Sequence, residues 1–119
     1  MKFDRWTVLF LLHQDDAPEL DEPESDALQD AHLAYLAALH ADGRLLAAGP
    51  VRGPPGTPPV AGICIFGGEV DEARSLVEAD PAVRAGLYRI DVVSWSVPGG
   101  TIAFLPSRFP RSMADAGAP

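Results

Sequence analysis

Apolar positions along the chain fall into four short runs with the character of β-strands. They cover residues 6–13, 44–51, 60–67 and 87–97. The first run is continuously apolar, which favours a central strand covered on both faces, whereas the last alternates in part. Gly49 and Pro50 end the second run, Gly67 ends the third, and Pro98 follows the fourth. We therefore predict four strands.

Two segments between these runs have the spacing of amphipathic helices. In residues 26–41 one stripe carries Leu28, His32, Tyr35, Leu36 and Leu39, and Gly43 is placed to stop the helix. The acidic stretch 15–24 contains two prolines and predicts a loop, with Ser25 or Asp26 as the helix cap.

A second helix is predicted to begin near Asp71, where acidic residues fill the first turn and Ala73, Leu76 and Val77 recur at helical spacing. Asp80 and Pro81 interrupt it. Because Asp is a good cap and Pro suits the first helical position, a short third turn is predicted over residues 82–85.

The order strand, helix, strand, strand, helix, strand predicts an α+β fold of the split βαβ type. Right-handed crossovers place both helices on one face of a four-stranded antiparallel sheet. The first and third strands look apolar on both faces, so a second copy of the chain is the simplest cover for the other face. We therefore expect a homodimer.

The remaining segments carry weaker patterns. The loop 52–59 is rich in proline and glycine and is expected to be irregular. We assign residues 1–98 to one domain and residues 99–119 to a partly disordered C-terminal extension, in which residues 102–105 are a candidate edge segment. The tail beyond Ser112 is expected to be frayed and dispensable for folding.

Charge and cysteine content narrow the classes of function. The 119-residue chain has a formal net charge of −8, and no Lys or Arg occurs between Arg5 and Arg44. Such a surface repels nucleic-acid phosphates and anionic lipid, so neither is an expected partner. The single cysteine, Cys64, excludes an intramolecular disulfide and a thiolate metal site. Without a long apolar run or a leader-like N-terminus, we expect a cytoplasmic protein.

Two polar residues stand out because standard catalytic motifs are absent. His32 lies in the apolar stripe of the first helix, where each ring nitrogen needs a partner. It is either a satisfied core histidine or a ligand-binding or catalytic one. Asp80 is likewise either a plain helix cap or a site residue. His40 falls toward the solvent-facing end of the helix, and we expect it to have no role.

The chain resembles the YCII-related proteins from about residue 6 to residue 97. The resemblance is carried by the histidine followed by Leu-x-x-Leu in HLAYLAALHADGRLLAAGP (32–50) and by AGICIF (61–66). A third motif, ADPAVRAGLY, ends DEARSLVEADPAVRAGLY (71–88). It implies a ferredoxin-like fold of the dimeric α+β barrel type, with a cleft in each subunit. The family often has Arg where this chain has Gln29, and an aromatic residue where this chain has Ala82. The substrate is therefore expected to differ from that of better-known relatives.

The resemblance also implies a site that joins His32 to Asp80. A carboxylate that accepts a hydrogen bond from one ring nitrogen fixes the tautomer and makes the other nitrogen a better base. Gly49 and Pro50 would let a ligand approach the backbone, or they only shape the turn, and Arg44 is expected at the surface rather than in an anion site.

Two functions remain open. The first is a lyase or isomerase without cofactor or metal, in which His32 moves a proton on a small oxygenated or aromatic-derived substrate. The second is a non-catalytic dimeric module that binds a small ligand or serves an accessory role.

Overall fold

The computed structural model describes residues 1–117 and consists of one sheet with helices packed against it. The elements are β1 (Phe3–His13), α1 (Glu22–Ala41), β2 (Leu45–Pro50), β3 (Val60–Phe66), α2 (Val70–Glu78), α3 (Pro81–Arg84), β4 (Tyr88–Pro98) and α4 (Met113–Gly117). The strands lie in the order β2-β3-β1-β4, and every neighbouring pair is antiparallel. The predicted ferredoxin-like α+β fold is confirmed, with β1 at a central position.

The hydrophobic core lies between the helices and one face of the sheet. Leu9 and Leu11 project from the same face of β1, because side chains alternate along a strand. They share one buried cluster with Leu36 of α1 and Val77 of α2. Both long helices therefore cover the same face of the sheet, as the split βαβ order predicts.

The opposite face of the sheet retains exposed apolar side chains. Val93 and Trp95 of β4 are 45% and 41% exposed, and their partners on β1 are Val8 and Trp6. Part of this face is covered by the chain itself, because the ring of Phe104 packs edge-on against Trp6 with 4.9 Å between ring centroids. This cover comes from the C-terminal segment, which the sequence pattern did not assign to it.

Helix α1 begins earlier than predicted. It starts at Glu22 rather than near Asp26, and the Asp21 carboxylate accepts a hydrogen bond from the Glu24 amide at 2.8 Å. Pro23 lies in the first turn, where a missing N–H costs nothing because these amides have no partner within the helix. The acids and proline that predicted a loop thus form the start of the helix. Within residues 1–117, no helix is long and apolar enough to cross a bilayer.

The segment after β4 is more ordered than predicted. Met113–Gly117 forms the short helix α4, and the Met113 amide donates to the Asp30 carboxylate of α1 at 2.8 Å. The expectation of an irregular tail is therefore wrong for residues 113–117, and residues 118–119 lie outside the described part of the chain. The loop 52–59 has neither helix nor strand, as predicted, and residues 102–105 form no strand.

Candidate functional site

A buried hydrogen bond joins the two residues that the sequence singled out. The His32 Nδ1 lies 2.6 Å from Asp80 Oδ2, and the two residues are 6% and 0% exposed. A contact this short between a buried carboxylate and an imidazole is a charge-assisted hydrogen bond. The predicted meeting of His32 and Asp80 inside the protein is confirmed.

The local structure around Asp80 explains why the pair forms. Asp80 is the N-cap of α3, and its Oδ1 accepts a hydrogen bond from the Ala82 amide at 3.0 Å. Pro81 occupies the first turn of that helix. Because α3 packs against α1, the second carboxylate oxygen reaches the buried face of α1, where His32 lies. Asp80 therefore caps α3 and also contacts His32, so it is not a plain helix cap.

The histidine opens onto a cavity of about 540 Å³ between α1 and the sheet. This volume is within the range of small-molecule sites in proteins. The cavity is lined by Leu11, Gln29, His32, Leu33, Leu36, Ala48, Gly49, Pro50, Arg52, Ala61, Gly62, Ile63, Cys64, Tyr88, Phe109, Pro110, Met113, Ala116 and Gly117. The lining is thus mostly apolar, with a few polar groups that could orient a ligand.

The orientation of His32 leaves one ring nitrogen for the cavity. Nδ1 faces Asp80, whereas Nε2 makes no hydrogen bond within residues 1–117. A neutral imidazole that donates from Nδ1 to a carboxylate carries its lone pair on Nε2. Because His32 lines the cavity, Nε2 is the nitrogen that a bound molecule would meet, and it can accept a proton there.

Tyr88 is a site residue that the sequence reading missed. Its ring centroid lies 6.0 Å from that of His32, and it lines the cavity. Burial, followed by the negative charge of Asp80, raises the pKa of Tyr88 above its usual value. The phenol therefore stays protonated near neutral pH and can donate a hydrogen bond to a ligand oxygen. In the sequence it was marked only as the last residue of the ADPAVRAGLY motif and the start of a strand, with no role assigned to it.

Two further groups near the site are held in their neutral forms. Burial raises the pKa of the Cys64 thiol to about 12, which removes it as a thiolate nucleophile at neutral pH. Burial and the charge of Asp80 also raise the pKa of Tyr35, despite the opposing effect of Arg44. The Tyr35 hydroxyl donates to the Leu76 carbonyl at 2.6 Å, so this tyrosine links α1 to α2. Within residues 1–117, no three His, Cys, Asp or Glu residues gather as a metal site.

The small residues at the end of β2 lie at the cavity. Gly49 and Pro50 both line it, and Pro50 pairs with Gly62 of β3. A side chain on Gly62 would begin only 3.3 Å from the Gly49 carbonyl oxygen, so this wall is formed by closely packed backbone. Arg44, in contrast, is exposed and does not line the cavity, as expected.

Most other lining residues were not predicted as site residues, among them Gln29, Arg52, Phe109 and Met113. Gln29 and Ala82 are the two positions at which this chain departs from the family pattern. Gln29 lies one turn before His32 and lines the cavity, whereas Ala82 is buried and does not line it. Arg52 comes from the proline-rich loop. Phe109 and Met113 come from the C-terminal segment, whose sequence has no period that would predict a contact with α1.

The expectation that His40 faces solvent is wrong. Its Nδ1 lies 2.7 Å from the Leu45 carbonyl oxygen, and its Nε2 lies 2.9 Å from the Ser107 carbonyl oxygen. Its ring stacks on Phe109 with centroids 3.9 Å apart. The C-terminal segment folds back over the end of α1, so a residue that looked solvent-facing from its helical angle is half-buried.

Comparison with known proteins identifies the family and agrees with this fold. The model of the YCII-related domain matches residues 8–96. The chain belongs to the YCII-related domain family. Protein YciI of Escherichia coli O6:H1 is 35% identical over 88 residues, which cover 68% of this chain and 88% of that protein. Protein YciI of Shigella flexneri matches to the same extent.

Solved structures provide a second comparison for this YCII-related chain. One is 5-chloro-2-hydroxyhydroquinone dehydrochlorinase from Burkholderia phenoliruptrix AC1100, in complex with 2,5-dihydroxybenzoquinone. It has a TM-score of 0.51 and 25% identity, over 76% of this chain and 92% of that one. A dimeric ferredoxin-like protein of unknown function from Bacteroides fragilis has a TM-score of 0.44 and 16% identity, over 78% of this chain and 95% of that one.

Proposed function

We propose that this protein is a small enzyme of lyase or isomerase type that moves a proton on a small oxygenated, ring-shaped substrate. The observation that carries the proposal is the 2.6 Å contact between His32 Nδ1 and Asp80 Oδ2 beside a cavity of about 540 Å³. In this role His32 is the general base and acid, and Asp80 orients it.

The chemistry follows from the tautomer. Nε2 takes a proton from an acidic C–H or O–H group of the substrate, and Asp80 stabilises the imidazolium that forms. The proton then returns to another atom of the substrate, which is an isomerisation, or a leaving group departs with the electron pair, which is an elimination. Neither outcome changes the net oxidation state, so we propose that the reaction proceeds without a redox cofactor.

The lining of the cavity supports an oxygenated ring as the substrate. Leu33, Leu36 and Phe109 offer apolar contacts to a flat ring, while the protonated Tyr88 phenol and His32 offer groups that pair with ring oxygens. The structurally similar dehydrochlorinase acts on such a ring. Gly49 and Pro50 are proposed as the backbone wall against which the ring lies.

The test uses binding and turnover together. We would titrate 2,5-dihydroxybenzoquinone into the protein by calorimetry and measure chloride release from 5-chloro-2-hydroxyhydroquinone. His32→Gln is expected to lower turnover by about 10²- to 10⁴-fold, the usual contribution of a general base. His13→Gln is the matched control, because His13 is exposed and lies outside the cavity lining.

Asp80→Asn separates catalysis from capping. The amide oxygen of this variant can still accept from the Ala82 amide, but its NH₂ group donates to His32 Nδ1 and forces the proton onto Nε2. Turnover should fall while the fold is kept. If ligand binds and stabilises the protein but no member of a panel of hydroxylated rings, lactones and carboxylates is turned over, the second function, a ligand-binding module, is the correct one.

A homodimer completes the proposal. Val93 and Trp95 lie exposed on the sheet face opposite the helices, and the same patch on a second copy would cover them around a two-fold axis. Such a dimer would bury the exposed Trp95 ring of each copy.

A further inference from the structure

The C-terminal segment forms one wall of the cavity. It follows β4 and lies beyond residues 8–96, the part that matches the family. Phe109, Pro110 and Met113 from this segment line the cavity together with His32 of α1. We use the name roof segment for residues 107–117. The roof segment contributes apolar surface to a site whose polar groups all come from the family domain.

His40 holds the first half of the roof segment. Its Nδ1 lies 2.7 Å from the carbonyl oxygen of Leu45 in β2, to which it donates in one neutral tautomer, and Nε2 then accepts a hydrogen bond from the Ser107 amide at 3.3 Å. Its ring lies flat on Phe109, with 3.9 Å between centroids and 12° between ring planes. One side chain thus fixes both the backbone at Ser107 and the plane of the Phe109 ring.

Helix α1 holds the second half. The Asp30 carboxylate accepts a hydrogen bond from the Met113 amide at 2.8 Å. Within the segment, Arg108 donates to both oxygens of Asp115 at 2.8 and 2.9 Å. Asp30 lies two residues before His32, so Met113 is tied to the same turn of α1 that carries the proposed base.

We propose that the roof segment determines which ligand the site accepts. Phe109 and Met113 contact the apolar part of a flat ring, and His40 is a positioning residue that sets the plane of Phe109. The inference rests on the proposed function, because it takes the cavity as the ligand site. The ligand class is a single planar ring with oxygen substituents directed toward His32 and Tyr88.

The anchoring fixes where the roof residues stand. Contacts with Asp30 and His40 hold Met113 and Phe109 against one side of the cavity of about 540 Å³. Shortening Phe109 to Ala removes aromatic contact from a one-ring ligand and adds space for a larger one. The affinities for small and large rings should therefore change in opposite directions, which loss of stability alone would not cause.

The experiment compares two probes in the full-length protein. Calorimetry would measure the Kd of 2,5-dihydroxybenzoquinone, which has one ring, and of 2-hydroxy-1,4-naphthoquinone, which has two. Phe109→Ala is expected to weaken binding of the first about tenfold, which corresponds to roughly 1.4 kcal/mol, and to strengthen binding of the second. Met113→Ala should change the ratio of the two Kd values in the same direction, but by a smaller factor. Leu105→Ala is the matched control, because Leu105 is 78% exposed and is not a lining residue.

His40 is tested by the same ratio. His40→Gln keeps a donor group but removes the ring that stacks on Phe109. Because His40 does not itself line the cavity, the lining residues are unchanged, and the relative affinity should shift in favour of the two-ring probe. His40→Phe keeps the stacked ring and should restore part of the wild-type ratio. Melting curves of each variant would separate these effects from loss of folding.

The outcomes distinguish this inference from the proposed function. Equal changes for both probes in Phe109→Ala, or no change, would overturn the role of the roof segment, and so would a wild type that binds neither probe. Binding that responds to Phe109→Ala, together with chloride release that is unchanged in His32→Gln, would overturn the proposed dyad chemistry and leave the roof segment as the determinant of specificity.

Discussion

Asp80 Oδ2 lies 2.6 Å from Nδ1 of His32, and the other oxygen of the same carboxylate caps α3 through the Ala82 amide at 3.0 Å. One buried side chain therefore joins the first turn of a short helix to the middle of a long one. The cap fixes the carboxylate, and the carboxylate fixes the imidazole. This sequence of constraints defines where Nε2 faces the cavity.

The first prediction concerns stability at Asp80. Asp80→Ala removes both the cap and the charge-assisted hydrogen bond, and it should lower the free energy of unfolding by about 3 kcal/mol. Asp80→Asn keeps the cap and should cost only about 1 kcal/mol. Urea unfolding measures both. Glu69→Ala is the control, because Glu69 caps α2 without a side-chain hydrogen bond. Equal losses for the two Asp80 variants would mean that the cap contributes nothing.

Hydrophobic periodicity predicted the four strands, the helix that carries His32 and the order of elements. It failed at the start of α1, because Pro23 and the neighbouring acids are equally typical of a loop and of a first helical turn. Only the hydrogen bond from the Glu24 amide to Asp21 separates the two. Hydrophobic periodicity also failed to predict α4. This helix is too short to show a period, and it depends on a contact with Asp30, which is distant in sequence.

The site was predictable where a polar residue replaced an apolar one. His32 interrupts an apolar stripe, and Asp80 precedes a proline, so both were visible in the sequence. Phe109 was not visible, and Tyr88 was seen only as the end of the ADPAVRAGLY motif. An aromatic residue in a strand or a tail fits packing as well as binding, so no role could be assigned to either. His40 was misjudged because its helical angle says nothing about a distant segment that folds over it.

The second prediction concerns Cys64 and alkaline pH. Its pKa is about 12 in the folded protein and 9.0 in its ordinary state. Above pH 9 the unfolded chain therefore loses a proton that the folded chain keeps, so folding stability falls as pH rises. This group alone should lower the free energy of unfolding by about 1.4 kcal/mol between pH 8 and pH 10.

The control for this prediction is Cys64→Ala, measured by urea unfolding at the same two pH values. The variant should lose less stability on going to pH 10, while the effects of Tyr35 and Tyr88 remain in both proteins. The folded wild type should also resist alkylation by iodoacetamide until denaturant is added. Fast alkylation of the native protein would contradict the burial of the thiol.

The third prediction concerns the exposed face of the sheet. Trp95→Glu places a charge in the proposed dimer interface, where it would be buried without a partner. Light scattering at micromolar concentration should give a dimer mass for the wild type and a monomer mass for the variant. Ser96→Glu, on the next residue and the other face of β4, should stay dimeric. A monomeric wild type would remove the proposed dimer.

The fourth prediction concerns the anchor of α4. Asp30→Ala removes the acceptor of the Met113 amide and should lower the free energy of unfolding by about 1 kcal/mol. Hydrogen exchange should then become faster at the amides of residues 113–117, while the core amides of β1 stay protected. Unchanged exchange at α4 in the variant would show that the Asp30 contact does not hold this helix.

The central claim is that Asp80 holds His32 in the tautomer that leaves Nε2 as a base toward the cavity. This can be measured directly by nitrogen NMR of the protein with ¹⁵N-labelled histidine, at a pH at which the His32 ring is neutral. The account predicts a protonated Nδ1, an unprotonated Nε2, and a change in the Nε2 signal on addition of 2,5-dihydroxybenzoquinone, with Asp80→Asn reversing the two nitrogens. A wild-type His32 that carries its proton on Nε2, with no response to the ligand, would contradict it.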